Sequence, residues 1–198
     1  MSWCSTLVLA GGRSRRLGGV EKATLLLRGQ RLVDRVVAAA AHAEARPVIV
    51  IGPEHTGDQA DLVVREDPPF TGPLASIAAG LPQVATEWVM ILPCDLQHPG
   101  ALIERLREAM KQPGADGVVL VDEDERVQWL AGCYRVQALR DGCAALGPRL
   151  ANAPLRAVLA ELELRRLPVE NALCADLDTP EALAAARAQD LPPSSPQS

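Results

Sequence analysis

Aromatic residues are scarce in this 198-residue chain: three Trp, one Tyr and one Phe make up 3% of it. So few flat side chains argue against the stacking platforms that hold single-stranded nucleic acid, and they leave the core to aliphatic packing. Positive charge is not in excess either, because 20 Lys and Arg face 25 Asp and Glu for a formal net charge of −5. Binding to a polyanion or an anionic membrane draws its energy from the opposite balance, so neither nucleic acid nor membrane is an expected partner. No apolar run approaches the roughly 18 residues of a membrane helix. The first residues lack the charged-then-apolar layout of a secretory signal. The cysteines (Cys4, Cys94, Cys133, Cys143 and Cys174) are odd in number, scattered and without a Cys-x-x-Cys pair. That pattern suits small buried hydrophobes in a reducing cytoplasm better than a disulfide framework or a zinc site, so a cytoplasmic location is expected.

What is present is an ordinary globular composition, 48% hydrophobic and 23% charged. A chain of this length hides roughly 70% of its unfolded surface and needs no staple. One domain is expected over 1–190, followed by a disordered tail, 191–198, with too little apolar content to offset the entropy of ordering it. Short apolar runs read as buried strands at Thr6 to Ala10, Pro47 to Ile51, Leu62 to Val64, Trp88 to Pro93, Val118 to Val121 and Val127 to Tyr134. Between them, Arg31 to Ala43 and Ala101 to Met110 carry apolar stripes at helical spacing. Apolar strands alternating with amphipathic helices predict an α/β, Rossmann-like three-layer sandwich, its mostly parallel sheet covered by helices on both faces. The second half is less regular. It holds an acidic turn, Asp122 to Glu125, that suits a hairpin, a loop around Gly147-Pro148 and a helical pattern from Leu155 to Leu162. Thr179-Pro180-Glu181 starts a last helix to about Arg187, with Thr as cap, Pro preset for the first turn and Glu at the positive end of the dipole.

The chemistry concentrates in the segment from Leu7 to Lys22, a strand running straight into a loop with four glycines. Arg13, Arg15, Arg16 and Lys22 stand there against Glu21 alone, in a protein that is acidic overall. Glycines let backbone N–H groups approach phosphate oxygens, and Arg and Lys balance the charge of a phosphoryl group in its transition state. The ends of the strands are also where open sheets of this kind bind ligands. The segment therefore suits a nucleoside triphosphate. It is neither Gly-x-Gly-x-x-Gly nor a P-loop, since Lys22 follows Glu21 and precedes Ala23. Read alone, Gly11-Gly12 and Gly18-Gly19 also suit plain turns with a solvated cationic face.

Leu9-Ala-Gly-Gly12, Arg15-Arg16, Gly18-Gly19 and Lys22 resemble the signature loop of the nucleotidyltransferases that include molybdenum cofactor guanylyltransferase. The resemblance continues in order through Glu66-Asp67, Gly72-Pro73-Leu74-Ala75, Cys94-Asp95, Leu130 to Arg135 and Asp178-Thr179-Pro180-Glu181. It implies transfer of GMP from GTP to molybdopterin with release of pyrophosphate, Mg²⁺ as cofactor, and other molybdenum-cofactor proteins as further partners. It also implies that Leu9, Ala10, Gly11, Gly12, Lys22, Asp67 and Asp95 bind the nucleotide, with Arg16, Lys22 and Asp95 catalytic. In this sequence Glu21 replaces the Asp usual before the lysine, and Ser76 the Gly after Leu-Ala. Gln97 stands where Pro often follows the metal Asp, Asp178 replaces a more frequent Asn, and Ile51-Gly52 lacks an Asn that helps read guanine.

Physical chemistry agrees with much of this. Asp95, after a buried strand, should emerge at the same sheet edge as the glycine loop, where a hard oxygen ligand can hold Mg²⁺ between triphosphate oxygens; the competing role is a cap on the helix near Pro99. Asp178 is either a second metal ligand or a partner for the start of the last helix, and Asp67 either a nucleotide contact or a loop acid before Pro68-Pro69. The three histidines are too dispersed for a metal cluster or a triad, and His98 reads as a loop residue. Cys94 beside a carboxylate is a poor thiolate. The attacking phosphate of the acceptor is already anionic, so no general base is required, and Arg135, Arg149 and Arg156 are expected to receive the anionic pterin. The rival readings are a cytidylyltransferase on the same pterin or another phosphorylated small molecule, and a nucleotide-binding module that has lost turnover.

Overall fold

The computed structural model describes residues 2–12 and 20–188. In chain order the elements are β1 (Ser5–Leu9), β2 (Leu26–Leu27), β3 (Gln30–Arg31), α1 (Leu32–His42), β4 (Val48–Ile51), β5 (Leu62–Val64), α2 (Pro73–Gly80) and β6 (Trp88–Pro93). They continue with α3 (Pro99–Ala109), β7 (Gly117–Val121), β8 (Val127–Arg135), α4 (Val136–Leu146), α5 (Arg156–Leu159), β9 (Leu164–Pro168) and α6 (Pro180–Ala188). A seven-stranded sheet runs β5-β4-β1-β6-β8-β7-β9. Every strand in it points the same way except β8, which is antiparallel to both β6 and β7.

Alternation along the strands divides the core in two. Val8, Val48, Val50, Met90 and Leu92 face α1 and α3, where Val33, Val36, Val37, Leu102, Ile103 and Leu106 meet them. Their neighbours Leu7, Ile49, Ile51, Val89 and Ile91 face the other way, onto Leu74 and Ile77 of α2 and Leu139 of α4. Successive side chains of a strand point to opposite faces, so an unbroken apolar run is what a sheet buried on both sides requires. The expected three-layer α/β sandwich with a mostly parallel sheet is the observed architecture, and the acidic turn does join the hairpin β7–β8.

Three elements escaped the periodicity. The β2–β3 hairpin has only two residues per strand and turns on Arg28 and Gly29, both at positive φ (56° and 76°), a mirror-image turn without the usual Asn-Gly. Helix α4 follows β8 with no side-chain cap at Arg135, so its stripe of Val136, Leu139 and Cys143 merges with the strand in sequence. Strand β9 pairs in parallel with β7, and the chain leaves α5 after one turn to begin it, which shortens the helical pattern expected from Leu155 to Leu162. The expected tail, 191–198, lies outside the described residues.

From β1 the chain steps to β4 and β5 on one side, then returns to place β6 on the other side of β1. In an open sheet that reversal leaves a crevice above the carboxyl ends of the two strands. Here it opens where Leu9 and Pro93 lie in register.

Candidate active site

The two segments that leave this crevice are bonded to each other. Cys94 N–H donates to Leu9 O at 3.2 Å, and Ala10 N–H to Ile51 O at 2.8 Å, so Leu9-Ala-Gly-Gly12 and Cys94-Asp95 emerge side by side. Past the strand, Gln97 N–H donates to Ala175 O (3.0 Å) and Leu177 N–H to Asp95 O (2.9 Å). This short antiparallel bridge, centred on Leu96 and Asp176, carries Asp176 and Asp178 to the site. Arg35 of α1 braces it by donating to the carbonyls of Leu96 (3.3 Å) and Gln97 (2.8 Å).

Lys22 starts a 3-10 turn, Lys22–Thr24, anchored by the fully buried Ala23. From there Nζ donates to Asp95 Oδ2 at 2.8 Å. Asp95 is 6% exposed, whereas the Lys22 side chain keeps 25%. The pair sets Lys22 Nζ at the cleft wall, where it can meet the oxygens of an anionic ligand. The cleft, about 540 Å³, is lined by the expected Leu9, Ala10, Gly11, Gly12, Lys22, Asp95 and Asp178. It also takes in Glu66, Phe70, Ser76, Leu130 and Asp176, and the start of α2 at Gly72-Pro73. The N-cap Gly72 sits at φ 97°, which glycine tolerates, and Pro73 occupies the first turn, so the positive end of α2 faces the cleft.

Several expected residues are placed differently. Asp67 is exposed and is not among the cleft residues; its neighbour Glu66 is 6% exposed and lines the cleft. The period of two along β5 accounts for this, since it puts Glu66 on the same side as Val64, which packs toward α2. Glu66 Oε1 accepts the Phe70 N–H at 3.0 Å, while the buried Oε2 has no hydrogen-bond partner among the described residues. Both oxygens lie just under 4 Å from where a Cβ on Gly11 would sit, at 3.8 and 3.9 Å. Arg16, with Arg13, Arg15 and Gly18-Gly19, lies outside the described residues. Asp95 does not cap α3, whose N-cap is His98, and the cap of α6 belongs to Thr179, whose Oγ1 accepts Ala182 N–H at 3.1 Å. Asp178 therefore faces the cleft without serving as that cap.

Arg135 is a clear correction. Because β8 runs against β6, Arg135 pairs with Trp88 at the far end of the sheet from Pro93, and its guanidinium lies 4.4 Å from the Trp88 ring centroid and bonds Glu87. Five residues of strand, about 16 Å, separate it from the cleft edge, so it cannot receive an acceptor there. Arg149 and Arg156 are exposed on a segment that does reach the cleft side, where Asn152 N–H donates to Thr71 O at 2.6 Å.

The electrostatics follow from crowding of like charge. Asp176 opens to solvent in the cleft, yet the protein packed around it, then the charges of Asp95 and Asp178, push its carboxyl up to about 7, against the opposing pull of Lys22. Burial, followed by Asp95, drives the Cys94 thiol far above its ordinary range, which removes it as a nucleophile. Four carboxylates, those of Glu66, Asp95, Asp176 and Asp178, line the one cleft, but among the described residues no three metal-ligating side chains converge on one point. Mg²⁺, content with one or two carboxylates plus phosphate oxygens, fits such a donor set.

Comparison with known proteins places the chain among nucleotidyltransferases. Molybdenum cofactor guanylyltransferase of Pseudomonas syringae pv. tomato is 32% identical, with 94% of each chain covered. Two solved structures share the fold: molybdopterin-guanine dinucleotide biosynthesis protein A from Archaeoglobus fulgidus (TM-score 0.67, 18% identity, 93% of this chain and 97% of that one), and 2-C-methyl-D-erythritol 4-phosphate cytidylyltransferase from Thermus thermophilus (TM-score 0.66, 20% identity, 96% and 98%). The family described as the MobA-like NTP transferase domain matches residues 6–167, a span that takes in the glycine loop, Lys22, Glu66 and Asp95, and the chain belongs to that family.

Proposed function

We propose that the protein transfers GMP from GTP to molybdopterin. A phosphate oxygen of the acceptor attacks the α-phosphorus of GTP in line, a new P–O bond forms, and the bond to the bridging oxygen breaks to release pyrophosphate with its electron pair. The observation that carries this reading is Lys22 Nζ on Asp95 Oδ2, at 2.8 Å, inside a cleft floored by Leu9 to Gly12. Both reactants are anions, so rate comes from alignment and charge neutralisation, not from a general base. Lys22 and the positive end of α2 hold the phosphates, and the backbone from Leu9 to Gly12 approaches them closely. Arg16 is assigned to the same phosphates on the strength of the family pattern.

Asp95 and Asp178 would hold Mg²⁺, whose charge, when bound, offsets that of the triphosphate. Glu66 takes the nucleotide contact expected of Asp67. Its Oε2 is an acceptor without a donor among the described residues, and guanine offers neighbouring N–H donors on its Watson–Crick edge where cytosine offers only its amino group. That favours GTP over CTP, because a buried acceptor left unpaired costs about 1–3 kcal/mol.

The test is turnover of GTP, CTP, ATP and UTP with molybdopterin and Mg²⁺, reading pyrophosphate and the mass of the dinucleotide. GTP should give molybdopterin guanine dinucleotide, and Lys22→Ala and Asp95→Ala should each lose at least 100-fold in rate, about 2.7 kcal/mol, while remaining folded. Preference for CTP, or full activity of Asp95→Ala, would overturn the reading.

A further inference from the structure

The chain has one phenylalanine, and it is not in the core. Phe70 is 43% exposed and lines the main cleft. Its backbone sits at φ 66°, in the left-handed region that an L side chain enters only at a cost. A single exposed apolar side chain needs no explanation on a protein surface. A ring held by costly backbone at the wall of a ligand cleft is a different matter, because such backbone persists where the surroundings impose it and gathers at functional sites. Here the surroundings are specific: Phe70 N–H donates to Glu66 Oε1 at 3.0 Å, and the Arg65 guanidinium lies over the ring, 5.5 Å from its centroid.

The same carboxylate ties the ring to the nucleotide. Glu66 is 6% exposed and lines the cleft, and its Oε2 has no hydrogen-bond partner among the described residues. One short segment therefore brings to the cleft an unpaired acceptor and, bonded to the other oxygen of that carboxylate, the backbone that carries an aromatic ring. A base has an edge for the first and a face for the second. Stacking tolerates any base, because each has a π-face, so the ring adds affinity and orientation while the edge contact makes the choice.

We infer that Phe70 is the base-stacking residue of the nucleotide site, with guanine lying against its ring and directing its Watson–Crick edge to Glu66. The inference rests on the reading of the cleft as a GTP site and adds the part that Lys22 and α2, which hold phosphates, do not supply. The one-phenylalanine count also makes it directly readable.

The full chain labelled with para-fluorophenylalanine gives a single fluorine NMR signal, at position 70. GTP with Mg²⁺ should shift that signal, whereas inorganic triphosphate, which has no base, should leave it in place. Phe70→Ala keeps the side chain off glycine and so keeps the backbone cost; it should weaken GTP binding in calorimetry about tenfold, the loss of one stack, and leave the Kd of inorganic triphosphate within about twofold. Phe70→Tyr should bind GTP like the wild type. A fluorine signal that is silent while GTP binds, a shift as large with inorganic triphosphate as with GTP, or equal loss of both ligands in Phe70→Ala would overturn the stack. A GTP-dependent shift with no dinucleotide formed would instead sink the proposed reaction and leave the stack standing.

Discussion

Lys22 and Asp95 stand 73 positions apart in sequence and 2.8 Å apart in space, joined by one charge-assisted hydrogen bond. Asp176 shows the cost of the third carboxylate nearby. Its carboxyl, raised to about 7 from an ordinary 3.8, favours the neutral form in the folded chain. The sign follows directly: its contribution to stability is fully present below the unfolded value and is lost as pH rises through about 7. In EDTA without nucleotide, Asp176→Asn should therefore raise the Tm relative to wild type at about pH 8 and have little effect at about pH 4. Equal differences at both pH values would show that the carboxyl is not held up. Both aspartates of the Asp176-Leu-Asp178 stretch were visible as acids beside a helix start, but their separate surroundings were not, since these depend on which distant strand end the stretch pairs with.

At the scale of elements, two helix details set opposite expectations. Helix α1 ends in a Schellman arrangement, with Ala45 N–H on Ala40 O (3.0 Å) and Glu44 N–H on Ala41 O (3.1 Å), and Glu44 sits at φ 57° where glycine is usual. Left-handed backbone costs an L residue about 1–2 kcal/mol, and glycine forfeits about 0.4–1 kcal/mol through its freer unfolded state. Glu44→Gly should thus stabilise the protein by about 0.5 kcal/mol in urea unfolding, a balance of those two terms. Gly142 in α4 is the reverse case. A Cβ there would meet Val158 Cγ1 of α5, at less than van der Waals contact, on a stiff β-branched side chain. Overpacking of about 1–3 kcal/mol outweighs the gain of about 1 kcal/mol in helix propensity. Gly142→Ala should lose about 1 kcal/mol by the same measurement, the difference of those terms, and a gain would mean that α5 yields freely. The strongly periodic elements α1, α3 and β6 were legible in sequence within two residues, whereas α4 was not, because no capping residue or turn separates it from β8.

Across the whole molecule, the cleft draws its walls from the ends of β1 and β6, the start of α2 and the segment after β9, so a ligand bound there joins both halves of the chain. GTP with Mg²⁺ at 100 times its Kd should add about 2.7 kcal/mol to folding. For a domain of this size, that is a rise of about 5–10 °C in Tm. Lys22→Ala should lose most of the rise; an unchanged shift in that variant would place the nucleotide elsewhere. The sequence alone determined the α/β alternation, the cationic glycine loop after the first strand and a carboxylate at the end of β6, because periodicity and motif spacing are local properties of the chain. Tertiary structure alone decided that Glu66 and not Asp67 faces the cleft, that Asp176 joins Asp95, and that Arg135 lies at the opposite edge. Those outcomes follow from strand direction and register, which are set by the summed packing of both faces of the sheet and by no single stretch of residues.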